Sequence, residues 1–144
     1  MKASLVFISL LSVSTLSLTP TIAAADPGGL NILIKCPRTG AGPNVLTNFG
    51  DYVAGYGAET IHGITNPIYF KSITSIQGVP TSLNAYGNEA AAYDSTNGNV
   101  TCQFGSSENP GFTVAYTLTN GKGGFVTNQG RDFVEISLPV GLRG

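Results

Sequence analysis

Tryptophan is absent, methionine and histidine occur once each, and only 10% of the 144 residues are charged. Each shortage excludes something. Seven basic residues scattered along the chain are too few to hold nucleic acid through its phosphates. So little charge beside 42% hydrophobic residues is the opposite of a disordered tail, and Glu, Lys and Leu are too sparse for a coiled coil. Two cysteines cannot build a four-sulfur zinc site or a disulfide-dense mini-scaffold. There is no Gly-x-Ser-x-Gly elbow, phosphate loop or dinucleotide fingerprint, and neither a cofactor nor a metal is expected. What is abundant is glycine, with 19 residues, joined by 8 prolines. The composition is that of a small, nearly neutral, turn-rich globular domain.

The first twenty-five residues have their own pattern. Met1 and Lys2 give a short positive start, and Leu5 to Leu18 is apolar, diluted only by Ser and Thr. Pro20 breaks the run, and Ala23-Ala24-Ala25 offers small residues for cleavage. This is the arrangement of a secretory signal peptide, with cleavage expected after Ala25 and a single β-domain over residues 26–144. The apolar run is short for a membrane span, and no later stretch reaches that length. Without Lys2 the remaining chain has six basic and eight acidic residues, a formal charge of −2. An exported location, periplasmic or extracellular, follows from this reading.

Export places Cys36 and Cys102 in an oxidising compartment, where a single structural disulfide is the expectation. A reactive thiol would need a Cys-x-x-Cys motif or a neighbouring base, and neither cysteine has one.

Period-two alternation dominates the mature chain. Phe112, Val114, Tyr116 and Leu118 share one face, as do Val100, Cys102 and Phe104, then Asp132, Val134, Ile136 and Leu138, and Leu30, Ile32, Ile34 and Cys36. The disulfide would then pin the first strand to the one through 99–104. Asn97-Gly98 and Asn120-Gly121 are turn dipeptides that favour tight hairpins. A two-residue loop at the first sets Tyr93 opposite Cys102, and one at the second sets Phe125 opposite Tyr116 unless Lys122-Gly123-Gly124 lengthens it. Residues 90–138 are thus expected to form an antiparallel meander. Residues 83–93 carry Gly87 and no capping box, which favours a strand or one short helical turn. The fold expected is all-β: a single antiparallel β-sandwich or open barrel with one disulfide.

Chemistry-bearing residues are few. His62 follows Glu59 by three positions, a pair that could serve a metal or an acid–base step. Residues 58–64 alternate like a strand, and a strand sends the two to opposite faces. Asp94 to Asn99 is oxygen-rich but has one carboxylate, short of a calcium loop. Tyr52, Tyr56, Tyr69 and Tyr86 cluster in the Gly- and Asn-rich middle, where aromatics either fill the core or form a contact surface.

Cys36-Pro37, then Val100-Thr101-Cys102-Gln103-Phe104 and Phe112-Thr113-Val114-Ala115-Tyr116, resembles a group of small exported bacterial proteins of uncharacterised function. Those combine an early Cys-Pro with a later Cys-x-aromatic strand, and the resemblance implies a disulfide-linked β-domain without a known activity. Residues 100–126 are also similar to the opening of periplasmic lysozyme inhibitors, although here the segment falls late in the chain. The function expected is a non-enzymatic module that binds another macromolecule, a protein or a glycan, through a sheet edge or a Tyr-bearing face. The alternative is a secreted hydrolase, or an inhibitor of one.

Overall fold

The structure, a computed structural model, describes residues 29–139. The expected signal peptide lies outside the described residues. Among them there is no helix; nine strands account for the regular structure. They are β1 (Gly29–Lys35), β2 (Leu46–Asn48), β3 (Val53–Ile61), β4 (Ile64–Ser72), β5 (Gly87–Asp94), β6 (Asn99–Gly105), β7 (Phe112–Thr117), β8 (Phe125–Gln129) and β9 (Phe133–Pro139).

All nine join one sheet in the order β5-β6-β7-β4-β3-β1-β9-β8, with β2 on the side of β3, and every ladder is antiparallel. The sheet curls until its two ends almost meet. The Ala91 N–H on β5 donates to the Gly130 carbonyl at 3.3 Å, and Gln129 Nε2 on β8 donates to the Ala91 carbonyl at 3.2 Å. The Tyr93 hydroxyl donates to the Gly121 carbonyl and accepts from the Gly124 N–H. One backbone bond and the Gln129 and Tyr93 side chains thus seal a seam that no continuous ladder closes, and of the two expected architectures the molecule is the barrel.

Alternation decides what fills it. Ile32, Ile34, Val100, Cys102, Phe104, Val114, Val134, Ile136 and Leu138 point inward and are buried. Phe104 stacks on Phe112 with ring centroids 5.2 Å apart, and Phe112 meets Tyr86 at 5.1 Å. Cys36, one residue beyond β1, is bonded to Cys102 on β6 with 6.0 Å between the Cα atoms. The bond crosses the barrel interior between strands that are not neighbours in the sheet.

Three local expectations are corrected. The β5–β6 hairpin closes with four residues, so Asp94 pairs with Asn99, Ala91 stands opposite Cys102 and Tyr93 opposite Val100. The cause is local: Asp94 Oδ1 accepts the Thr96 N–H and the Asp94 carbonyl accepts the Gly98 N–H, building a wider turn that ends on Gly98 at φ 78°. The shift is two residues, so each side chain keeps its face. The meander is interrupted, because β7 pairs with β6 and β4 while β8 pairs with β9, and Phe125 is opposite Ser137 instead of Tyr116. Residues 58–64 are not one strand but the tip of the β3–β4 hairpin. His62 and Gly63 take φ 53° and 78°, the two positive values that a primed two-residue turn requires. The segment 83–93 divides into a turn at Leu83–Tyr86, where the Tyr86 N–H donates to the Leu83 carbonyl, followed by β5.

Candidate functional site

The outer face of β3 and β4 is built by a strict division of labour. In Val53-Ala54-Gly55-Tyr56-Gly57 the odd positions face the barrel, and glycine at 55 and 57 leaves room for neighbours that come very close. A Cβ on Gly57 would run into the Lys35 carbonyl oxygen and stand 2.8 Å from a ring carbon of Phe70. The even positions face out, which sends Tyr56 into solvent.

The ladder then assembles an aromatic stripe. Tyr56 is paired with Tyr69 and Ala54 with Lys71. The two tyrosine rings lie 5.1 Å apart, tilted by 60°, with 47% and 44% of their surfaces exposed. Beyond Ala54, Phe49 stacks on Tyr52 at 5.1 Å, and Lys71 Nζ sits 4.4 Å from the centre of the Tyr52 ring. The Phe49 N–H donates to the Tyr52 carbonyl, so the same tight turn that joins β2 to β3 sets both rings side by side. Ile73, the next outward position after Lys71, is 59% exposed. Single exposed apolar residues are ordinary on a protein surface; two ring pairs on one face, with Lys71 between them, are less so.

At the β1 side of Tyr56, a hollow of about 240 Å³ is lined by Lys35, Arg38 and Asp132. Farther along the outer face, a groove of about 420 Å³ holds Asn31, Leu33, Thr60, His62, Thr127 and Glu135. Here Leu33 pairs with Thr60 on one side and Glu135 on the other, so β1 forms the floor and its two neighbours the walls. Thr60 and Thr65 share a hydroxyl hydrogen bond of 2.8 Å beside it.

The structure brings together Tyr52, Tyr56 and Tyr69 and places Tyr86 elsewhere. Tyr86 is 4% exposed, its hydroxyl donates to the Pro110 carbonyl at 2.7 Å, and burial pushes its phenol pKa above the ordinary tyrosine value. Glu59 and His62 are not on one face: Glu59 faces inward opposite Ile34 and Asn66, while His62 sits exposed at the hairpin tip. The carboxylate that shares the groove with His62 is Glu135, from the far end of the chain. Among the described residues one carboxylate lines the groove, where glycoside hydrolysis ordinarily uses two. Among the described residues, no three His, Cys, Asp or Glu side chains converge as a metal site would need, and no helix is long and apolar enough to cross a membrane.

Phe49, Lys71 and Ile73 joined the stripe without being singled out from sequence. The outward spacing Tyr69, Lys71, Ile73 was the available signal. Glu135 had none, since only the β1–β9 ladder brings it to His62. The chain matches no protein-family model, no curated protein and no solved structure.

Proposed function

We propose that this protein is an exported, non-enzymatic binding module that holds another macromolecule against the outer face of β3 and β4. The observation that carries this reading is the Tyr56–Tyr69 pair, two rings nearly half exposed and flanked by Tyr52, Phe49 and Lys71. Folding gains little from aromatics left in water, whereas rings already fixed by a ladder lose little entropy on binding. Export is supported by the leader pattern of residues 1–25 and by a disulfide compatible with an oxidising compartment. The partner is a protein or a glycan.

The test is affinity capture with immobilised, disulfide-intact protein beside a Tyr56→Ala/Tyr69→Ala variant. A partner retained by the first and lost by the second supports the reading. Equal retention by both moves the site away from the stripe. The second reading, a hydrolase or an inhibitor of one, draws on the groove that holds His62 and Glu135. It requires that His62→Ala abolish an activity that the tyrosine variant retains.

A further inference from the structure

The shape and chemistry of the outer face narrow the partner, and this step rests on the binding reading above. From Tyr52 to Ala58 the stripe runs about 20 Å along the strands and is two strands, about 10 Å, wide. That footprint, on the order of 200 Å², is a fraction of the roughly 800 Å² that each side of a stable protein–protein interface buries. A second copy of the chain or a globular partner would have to bury surface well beyond these rings. A narrow, elongated ligand fits.

An extended peptide would ordinarily use a sheet edge, and one is available. Among the described residues only Lys71 and Ser72 of β4 pair with β7, and the strand from Ile64 to Phe70 has no second neighbour there. In the antiparallel alternation Lys71 turns its backbone toward β7, and so Pro67, four residues earlier, turns toward the same open side. Proline has no N–H to give there, and it sits in the middle of the free stretch as a guard against strand addition. A polyproline helix is also out of step. Tyr52 and Tyr56 are about 14 Å apart along the strand, against about 9 Å per polyproline turn.

The face itself changes character along one line. Tyr56 and Thr60 both point outward from β3, about 14 Å apart, so the ring platform passes directly into the groove of Asn31, Thr60, His62 and Glu135. Sugar rings have an apolar C–H face and a rim of hydroxyls. The first packs on an aromatic ring; the second seeks amide, hydroxyl, imidazole and carboxylate partners. Charge points the same way, for the chain has few ionic groups and the stripe and its flanking hollow mix Lys35, Arg38 and Lys71 with Asp51 and Asp132. We infer that the ligand is a linear polysaccharide, one sugar unit packed against the tilted Tyr56–Tyr69 pair and its hydroxyls reaching the Asn31–Thr60–His62–Glu135 groove.

Affinity electrophoresis of the disulfide-intact protein tests this against gels containing hydroxyethylcellulose, glycol chitin, xylan, alginate or polygalacturonate. At least one polysaccharide is expected to retard the protein. Tyr56→Ala/Tyr69→Ala should weaken that retardation by about tenfold or more, as two lost ring contacts imply. Asn31→Ala/His62→Ala should weaken it less, with circular dichroism unchanged in both variants. No retardation by any of the five, or retardation indifferent to the tyrosines, overturns the inference. If none of the five binds while the capture experiment yields a tyrosine-dependent protein partner, the polysaccharide is wrong and the binding face stands. If capture is also tyrosine-independent, both fall.

Discussion

Tyr56 and Tyr69 face each other directly across the β3–β4 ladder, on the side of the sheet that the barrel does not bury. An exposed cross-strand aromatic pair contributes on the order of 0.5–1 kcal/mol to folding. Its removal should therefore be mild. Tyr56→Ala/Tyr69→Ala is expected to lower unfolding free energy by roughly 1 kcal/mol and to keep the disulfide and the strand signature. Urea titration read by circular dichroism checks this, and a loss above about 3 kcal/mol would mean that the rings are structural.

Cys36 and Cys102 close a loop across 66 residues of sequence. Chain entropy credits such a closure with about 4 kcal/mol, a large share of the 5–15 kcal/mol typical of a domain. Intact-mass analysis of unreduced protein should find no free thiol. The Cys36→Ala/Cys102→Ala variant should unfold at markedly lower urea, and reduction of the native protein should do the same.

Gly57 is where the chain tolerates no side chain. Its missing Cβ makes room for the Lys35 carbonyl and the Phe70 ring, one of them backbone and the other a fully buried side chain. Gly57→Ala is expected to cost about 1–3 kcal/mol through overpacking, or to prevent folding. Gly87, whose Cβ would meet nothing within 4 Å, provides the control, and Gly87→Ala should be near neutral by the same melting measurement.

Tyr86 ties stability to alkaline pH. Burial favours the neutral phenol, so its folded pKa lies above the unfolded value of about 10. Between those two values the unfolded chain has lost the proton that the folded chain keeps, and stability falls as pH rises. Below the unfolded value the contribution is whole. Tyr86→Phe should flatten this part of the profile. At neutral pH it should cost about 1 kcal/mol through the lost hydrogen bond to the Pro110 carbonyl, read by denaturation at pH 7 through 11.

The strands of the second half were legible because Val100-Cys102-Phe104 buries one clean face and Phe112-Val114, with Tyr116 half-buried beside them, nearly does. The disulfide was legible because a chain that opens with a leader pattern and carries two cysteines leaves them little other role. The β5–β6 register slipped because the turn is set by Asp94 backbone and side-chain bonds, which the Asn97-Gly98 dipeptide does not announce. The break between β7 and β8 depends on which open edges remain after the sheet curls, a long-range matter with no local mark. Gly55 and Gly57 put weak strand formers inside β3, since close approach of the neighbouring backbone demands glycine there. Tyrosines stood out in the middle of the chain, but only the ladder separates the outward Tyr56 and Tyr69 from the buried Tyr86.

The most direct measurement is backbone amide NMR mapping of the disulfide-intact protein titrated with whichever captured partner or polysaccharide binds it. Shifts are expected to begin at Tyr52, Tyr56, Tyr69 and Lys71 and to extend toward Thr60 and Asn31. Perturbations confined to the groove around His62 and Glu135, or to the β5–β8 seam, with the tyrosine stripe unmoved, would contradict the proposed binding face.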